Sequence, residues 1–272
     1  MLHVERADAQ LFTQTFVNGL LHVHSVFKRS INLQDFRSKQ LMMLTFQPAE
    51  VPHGIVVSYE DFVSLKSELK VGTQIILQQR ILYFPKTALS FQHANAFVTS
   101  LAVPKQVLNL QCLSFVIQQI ENVTGFQEPL HQVFTSRNPF YQAVDDLHSS
   151  SFYQQRLAID FLIGRGIGLT PTGDDMLLGY LVASCLTQRQ NLRLAAYLKR
   201  KLTTVKDLTT DVSLHYLLQA IDGNFSQTYA QIGRCRDQQT TEIVLKSILL
   251  TGHTSGADFL AGVMRSLFPI KQ

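Results

Sequence analysis

The sequence predicts an α+β protein: a small β-rich N-terminal domain, barrel- or sandwich-like, followed by a mainly α-helical domain. From about residue 20 to 100, short apolar or alternating runs lie between turn residues, as in strands. Beyond Pro104, apolar residues recur three and four positions apart, as in helices. A Gly-rich turn followed by a helix-like run also occurs twice in the second half. We therefore predict domains at 1–103 and 104–272.

The N-terminal domain contains four strand-like runs that are rich in β-branched and aromatic residues. They are residues 21–33, 40–46, 54–58 and 73–85. A small sheet with one open apolar face is not stable alone, so these strands must close on themselves or pack against a second layer.

The C-terminal domain contains five runs with helical periodicity. They are residues 107–123, 154–164, 174–202, 211–225 and 241–252. The long third run carries the first copy of the repeated turn at its start, and the fifth run leads into the second copy.

Composition indicates a folded protein without a nucleic-acid or membrane partner. The chain has 272 residues, is 46% apolar, and carries 24 basic against 20 acidic side chains, a net charge of +4 that is too mild to indicate nucleic-acid binding. Its first residues, "MLHVERADAQLF", are charged where a secretory signal is apolar, and no apolar run approaches the roughly 18 residues needed to cross a bilayer. We therefore expect a cytoplasmic protein.

The repeated turn reads "GLTPTGDDMLLG" at 168–179 and "GHTSGADFLAG" at 252–262. Aligning Gly173 with Gly256 pairs a hydroxyl residue and an aspartate in both copies, with Pro171 as a one-residue insertion. The pairs are Thr172 with Ser255 and Asp175 with Asp258. A hydroxyl three residues before an acid resembles a capping box, so one interpretation is simply two well-capped helices.

Other features exceed what a cap requires. The flanking glycines leave backbone N–H groups at two helix N-termini open to an anion. Asp174 adds a second acid, and His253 adds a titratable ring; these groups could position a metal, a proton or an amide. Gly179 and Gly262 give each following helix a smooth face, so the helices could cross and bring both turns to one pocket. Paired structural caps and a shared binding pocket both remain open.

Familiar nucleotide and hydrolase motifs do not account for the repeat. The run "GRGIG" at 164–168 follows a helix-like segment rather than a strand, which argues against a dinucleotide site. No lysine follows the glycines as in a phosphate-binding P-loop, and neither GxSxG nor HExxH occurs.

Three blocks resemble, in order, the signature blocks of a bacterial AllH-like family, once described only as a domain of unknown function or as a carboxylase family. They are "GIGLTPTGDDMLLGYL", "LTTDVSLHYLLQAIDGNF" and "KSILLTGHTSGADFLAGV". The segment "HSVFKRSINL" is similar to an early strand of that family, so the resemblance runs from about residue 20 to the end. The family includes the AllH-type subunit of oxamate carbamoyltransferase from anaerobic allantoin breakdown, a part of purine catabolism.

The resemblance implies a subunit of a multi-protein carbamoyltransferase that interconverts oxamate plus carbamoyl phosphate with oxalurate plus phosphate. Small anions and other subunits would be its partners, and a homo-oligomer is compatible with this. Its implied catalytic residues are Asp174, Asp175, Asp258 and His253, the acids orienting an amine or holding a divalent ion. Its implied substrate-binding residues are Arg165, Gly168, Thr170, Thr172, Gly173, Thr254, Ser255 and Gly256. Arg165 or His253 would offset developing negative charge.

Some features depart from the family or leave alternatives open. Ile167 stands where the family usually has Pro, and Thr172 where it often has Ser, but neither change removes a chemical group. The Ser-Thr-Arg-Thr-Arg phosphate signature of ordinary carbamoyltransferases is absent, so carbamoyl chemistry here would use a different fold and partner subunits. The alternatives are a non-catalytic scaffold or anion-sensing subunit, and a stand-alone acyl- or carboxyl-transferring enzyme.

Overall fold

The structure is a computed structural model that describes residues 1–13, 18–102 and 108–270. It divides into two compact units, Met1–Ser100 and Leu101–Gln272. The domain boundary that the sequence predicts, between residues 103 and 104, lies outside the described residues. An α+β class with a β-rich first part and a helical second part is confirmed.

The N-terminal unit is built on one ten-stranded sheet with the order β1-β9-β8-β7-β3-β4-β5-β6-β2-β10 in the described chain. The strands are β1 (Leu2–His3), β2 (Arg6–Asp8), β3 (Asn18–Val26), β4 (Ser30–Asp35), β5 (Leu41–Thr45), β6 (Gly54–Val56), β7 (Gln74–Gln78), β8 (Ile81–Tyr83), β9 (Ala88–Ser90) and β10 (Asn95–Phe97).

The sheet curls because the first strands join its two ends. The Val4 N–H donates to Ser90 O of β9 at 2.9 Å, while the next N–H, of Glu5, donates to Val56 O of β6 at 2.9 Å. Since β9 and β6 lie near opposite ends of the strand order, consecutive residues can reach both only if the sheet bends back toward itself. The unit is therefore barrel-like.

Alternation builds the core of this unit, as β7 illustrates: Ile75 and Leu77 are buried between exposed neighbours. The helix α1 (Tyr59–Glu68) adds Phe62 and Leu65 to the core, and the side chain of Ser58 caps it. Neither α1 nor the short strands β1, β2, β9 and β10 are among the elements that the sequence predicts. A hydroxyl at Ser58 followed by Asp61 is a helix-start signal that could have revealed α1.

The C-terminal unit contains nine α-helices among its described residues. They are α2 (Leu110–Ile117), α3 (Pro139–Asp146), α4 (Phe152–Leu162), α5 (Thr172–Leu186), α6 (Leu192–Thr204), α7 (Asp211–Ile221), α8 (Gln227–Ala230), α9 (Gln238–Leu249) and α10 (Ser255–Leu267). The helical run that the sequence places at 174–202 is therefore two helices, separated by a turn in which Gln188 has φ of 55°.

Helix α5 is the central helix of this unit. Every residue from Thr172 to Leu186 except Cys185 is buried. A helix buried on all sides needs neighbours all round, and α3, α4, α7 and α10 all pack against it.

A buried ion pair anchors α10. The guanidinium of Arg265 donates to both carboxylate oxygens of Asp145 on α3, at 2.8 and 2.6 Å, and to Val133 O at 2.7 Å. Arg265 is 1% exposed, so this pairing fixes the C-terminal half of α10 within the core.

Candidate functional site: two crossed, duplicated helices

Helices α5 and α10 cross in backbone contact at the two glycines that the sequence singles out. A Cβ on Gly179 would lie 2.2 Å from Phe259 O of α10, and a Cβ on Gly262 would lie 2.2 Å from Met176 O of α5. Met176 and Phe259 each stand three residues before the glycine of their own copy. The contact is therefore reciprocal, and the predicted crossing is confirmed.

The repeat extends beyond the turn to a helical hairpin. A Cβ on Gly173 would lie 2.0 Å from Leu162 O of α4, and one on Gly256 would lie 2.1 Å from Ile248 O of α9. The pairs α4–α5 and α9–α10 thus repeat the same close approach, with a longer connection in the first copy.

These glycines serve helix packing, which corrects the expectation that their N–H groups are open to an anion. The Gly173 N–H donates to Arg165 O at 2.8 Å, and the Gly256 N–H donates to Thr251 O at 3.1 Å. Both residues need a bare Cα because the end of the preceding helix lies against them.

The predicted capping boxes are wrong because each hydroxyl bonds to the aspartate of the other copy. Thr172 donates to Asp258 Oδ2 across the crossing at 3.1 Å, and Ser255 bonds to Asp175. The N-cap positions are in fact Pro171 and Thr254. Thr172 and Ser255 are the first helical residues, so they face the opposite helix rather than their own first turn.

Each aspartate also bonds to a hydroxyl of its own turn, Thr170 to Asp175 and Thr254 to Asp258. Thr170 and Ser255 lie 2.8 Å apart, oxygen to oxygen, and complete the set. We call Thr170, Thr172, Asp175, Thr254, Ser255 and Asp258 the crossed acid–hydroxyl cluster.

One member of the site was missed by sequence reasoning. The Gly125 N–H donates to Asp258 Oδ1 at 2.8 Å. A Cβ on Gly125 would lie 2.0 Å from Thr172 Oγ1, so only glycine fits there. Gly125 is distant in sequence from both copies, and an isolated glycine in a loop gives no signal of this contact.

Both acids are buried, but Asp175 differs from Asp258 in its hydrogen bonds. Its Oδ2 has no hydrogen-bond partner among the described residues, although the residue is only 1% exposed. Burial raises the pKa of Asp175 well above its usual value, and the neighbouring Asp258 raises it further. Burial also raises the pKa of Asp258, although the bonds from Gly125, Thr172 and Thr254 act in the opposite direction.

Asp174, the extra acid of the first copy, points to a different set of partners. It accepts the Gly164 N–H at 2.8 Å and the hydroxyl of Thr209, just before α7. Burial raises its pKa. Asp174 therefore ties the α4–α5 connection to the start of α7, outside the crossed cluster.

The basic candidates lie at the surface. Arg165 is exposed, donates to Phe161 O at 2.7 Å, and stacks 4.0 Å from the Phe161 ring, which holds it against α4. His253 and Gly168 are exposed on the two connections, and Gly168 has φ of 93°. They flank the cluster in sequence.

A stacked pair of aromatic rings includes Phe259, the residue that follows Asp258. Tyr229 stacks on Phe259 with centroids 3.8 Å apart and planes 6° apart. Burial raises the pKa of Tyr229 well above its usual value, and Asp175 and Asp258 both raise it further, so the ring lies near both acids.

The described residues hold no group of three or more His, Cys, Asp or Glu side chains suited to a metal ion. Within the same residues, no helix is long and apolar enough to cross a membrane. The crossed cluster thus offers two carboxyl groups and four hydroxyls as its polar groups.

Fold and site together define an α+β protein whose helical unit is centred on a duplicated, crossed helical hairpin. A model described as oxamate carbamoyltransferase subunit AllH matches residues 162–267, and a model of the AllH family N-terminal domain matches residues 3–96. The chain belongs to the AllH family, as its three sequence blocks predict. No solved structure matches it.

Proposed function

We propose that this chain is a subunit of an oxamate carbamoyltransferase-type complex and that its crossed acid–hydroxyl cluster binds part of the substrate. The reaction would interconvert oxamate plus carbamoyl phosphate with oxalurate plus phosphate, in keeping with the name of the family. The observation that carries the site is the buried Asp175 Oδ2, a strong acceptor that has no hydrogen-bond partner within the described parts of the chain.

Transfer of a carbamoyl group requires that two reactants be oriented and that charge on the leaving phosphate be stabilised. Thr170 and Ser255 bond to Asp175 and are half-buried, so their hydroxyl oxygens can also accept a hydrogen bond from a ligand. The cluster itself holds no cation, so charge on the phosphate would be met by exposed groups such as Arg165 or His253, or by a partner subunit.

The test is phosphorolysis of oxalurate by the complex assembled with its partner subunits, followed as carbamoyl phosphate formed. Asp175→Asn and Asp258→Asn should each lower the rate by about 100-fold or more, as the loss of a group that orients a reactant typically does. Asp222→Asn is the matched control, because Asp222 is exposed and pairs with Lys199 at the surface. Unchanged rates in folded Asp175 and Asp258 variants would refute the site.

A scaffold without catalytic function is the second candidate, and the packing of the glycines favours it. Gly173, Gly256 and Asp174 all have structural partners, as a purely architectural repeat would require. On this alternative, Thr172→Ser and Ser255→Thr are silent. Phosphate, oxamate, oxalurate, carbamoyl phosphate and divalent ions would then leave the melting temperature unchanged, whereas a ligand that binds the native state raises it.

A further inference from the structure

The two acids of the crossed cluster have matching hydroxyl partners and differ in one further donor. Each acid bonds to one hydroxyl of its own turn and one of the opposite helix. Asp258 has a third donor, the main-chain N–H of Gly125 at 2.8 Å, and Asp175 Oδ2 has none among the described residues. In one copy of the repeat a main-chain N–H supplies the third hydrogen bond of the carboxyl group, and in the other copy no described residue supplies it.

The group that completes Asp258 is an amide. Gly125 can reach it only because it lacks a side chain: a Cβ there would lie 2.0 Å from Thr172 Oγ1 and 2.9 Å from Asp258 Oδ2. A peptide N–H thus fills the space beside one acid of the pair. By the symmetry of the repeat, an amide N–H has the right chemistry for the other acid.

We propose that Asp175 recognises the primary amide of the ligand, accepting one of its N–H groups at Oδ2 as Asp258 accepts the Gly125 N–H. The inference rests on the proposed function for the reaction, and it specifies that the cluster binds the amide end of the substrate. Oxamate carries a primary amide, and oxalurate and carbamoyl phosphate carry a carbamoyl NH₂. Thr170 and Ser255 donate their single hydroxyl protons to the ionised Asp175, so toward the ligand they can only accept, for example from the second N–H of the same amide.

Charge favours an amide over an anion at this place. Ionised Asp175 and Asp258 repel a carboxylate or phosphate, whereas a neutral amide brings the N–H donor that a buried carboxylate lacks. The competing arrangement has a protonated Asp175 that donates to a carboxylate oxygen of the ligand. It predicts the opposite ligand preference and is therefore an outcome of the test.

The experiment compares oxamate with pyruvate and with oxalate. Pyruvate has a methyl group in place of the amide nitrogen, and oxalate has a carboxylate in place of the whole amide group. Binding to the full chain, alone and in the assembled complex, is measured by calorimetry and by the shift in melting temperature. Oxamate should bind at least about tenfold more tightly than pyruvate or oxalate, the effect of one hydrogen bond to a buried charged group.

Asp175→Asn replaces the acceptor with an amide of the same shape and should bring the affinities for oxamate and pyruvate to within about twofold of each other. Asp222→Asn is the matched control: it makes the same change at an exposed carboxylate that pairs with Lys199 at the surface, and it should keep the preference for oxamate.

The inference is overturned if the wild-type chain binds pyruvate or oxalate as well as oxamate, if folded Asp175→Asn keeps the preference, or if oxamate binds neither the chain nor the complex. These results are separable from the proposed function. A complex whose turnover depends on Asp175 without a preference for oxamate would keep the function and remove the amide site. A preference for oxamate without turnover would do the reverse.

Discussion

At the scale of the residue, Asp175 is a carboxyl group that the fold buries without completing its hydrogen bonds. Burial and the nearby Asp258 raise its pKa, so its ionisation is less favourable in the folded than in the unfolded chain. Buried acceptors without a donor lower the stability of the fold and are typical of functional sites, where a bound ligand can supply the donor.

This yields a prediction about stability and pH. Because the pKa of Asp175 is higher in the folded than in the unfolded chain, its ionisation makes the wild-type protein less stable as the pH rises from 3.8 through the folded-state pKa. Asp175→Asn carries no charge, so it should raise the free energy of unfolding at neutral pH by about 1–3 kcal/mol. Urea unfolding from pH 4 to 8 measures this, and the gain should shrink toward the acid end.

The neighbouring acid, Asp174, is also buried with a raised pKa, but it has the hydrogen-bond donors that Asp175 Oδ2 lacks among the described residues. Asp174 accepts two donors, Gly164 N–H and the Thr209 hydroxyl, and an asparagine can accept only through its one oxygen. Asp174→Asn should therefore be destabilising at neutral pH in the same urea series. If both variants lose stability alike at every pH, Asp175 is an ordinary hydrogen-bonded core acid.

At the scale of the element, the site depends on how closely α5 and α10 approach. Backbone contact at Gly179 and Gly262 sets the crossing, and the crossing brings the first turn of each helix to the aspartate of the other. The ion pair of Arg265 with Asp145 holds α10 at its other end. The cluster is therefore a product of helix packing rather than of either turn alone.

Alanine at either crossing glycine should separate the helices. The new Cβ would meet a backbone oxygen at 2.2 Å, which cannot rotate away, so Gly179→Ala and Gly262→Ala should each cost about 3 kcal/mol or more. The double variant should cost less than the sum, because one spread of the helices relieves both clashes.

Chemical denaturation measures these costs, and Gly233→Ala is the control. There the new Cβ would lie 3.1 Å from Leu186 Cδ2, the end of a flexible side chain, so the cost should stay below about 1 kcal/mol. Strict additivity of the two crossing variants would contradict a shared contact.

At the scale of the whole molecule, the described residues form two separate hydrophobic cores. One lies inside the curled sheet and includes Leu33 of β4; the other surrounds α5 and includes Leu217 of α7. Both leucines are fully buried. A loss of packing in one core should therefore be felt mainly in its own unit.

Leu33→Ala and Leu217→Ala should each cost about 2–5 kcal/mol, the usual range for a leucine removed from a core. Hydrogen exchange read residue by residue should show faster exchange within residues 1–100 for Leu33→Ala and within 101–272 for Leu217→Ala. Equal loss of protection in both units from either variant would show that they unfold as one.

The sequence alone determined the features that depend on local pattern. Alternation and helical spacing separated the two parts of the chain, and the repeated turn with its glycines predicted the crossing of two helices. The resemblance of three sequence blocks indicated the family. The short strands β1, β2, β9 and β10 escaped because two or three residues are too few to show a period.

Only the tertiary structure decided which donors and acceptors are paired in the site. A hydroxyl three residues before an acid indicates a capping box, yet the hydroxyls of Thr172 and Ser255 each bond to the acid of the opposite helix, because the crossing brings the two first turns together. Gly125 joined the site from a distant loop, and Arg165 was held at the surface by Phe161. Such contacts are set by packing between segments far apart in sequence, which no local pattern records.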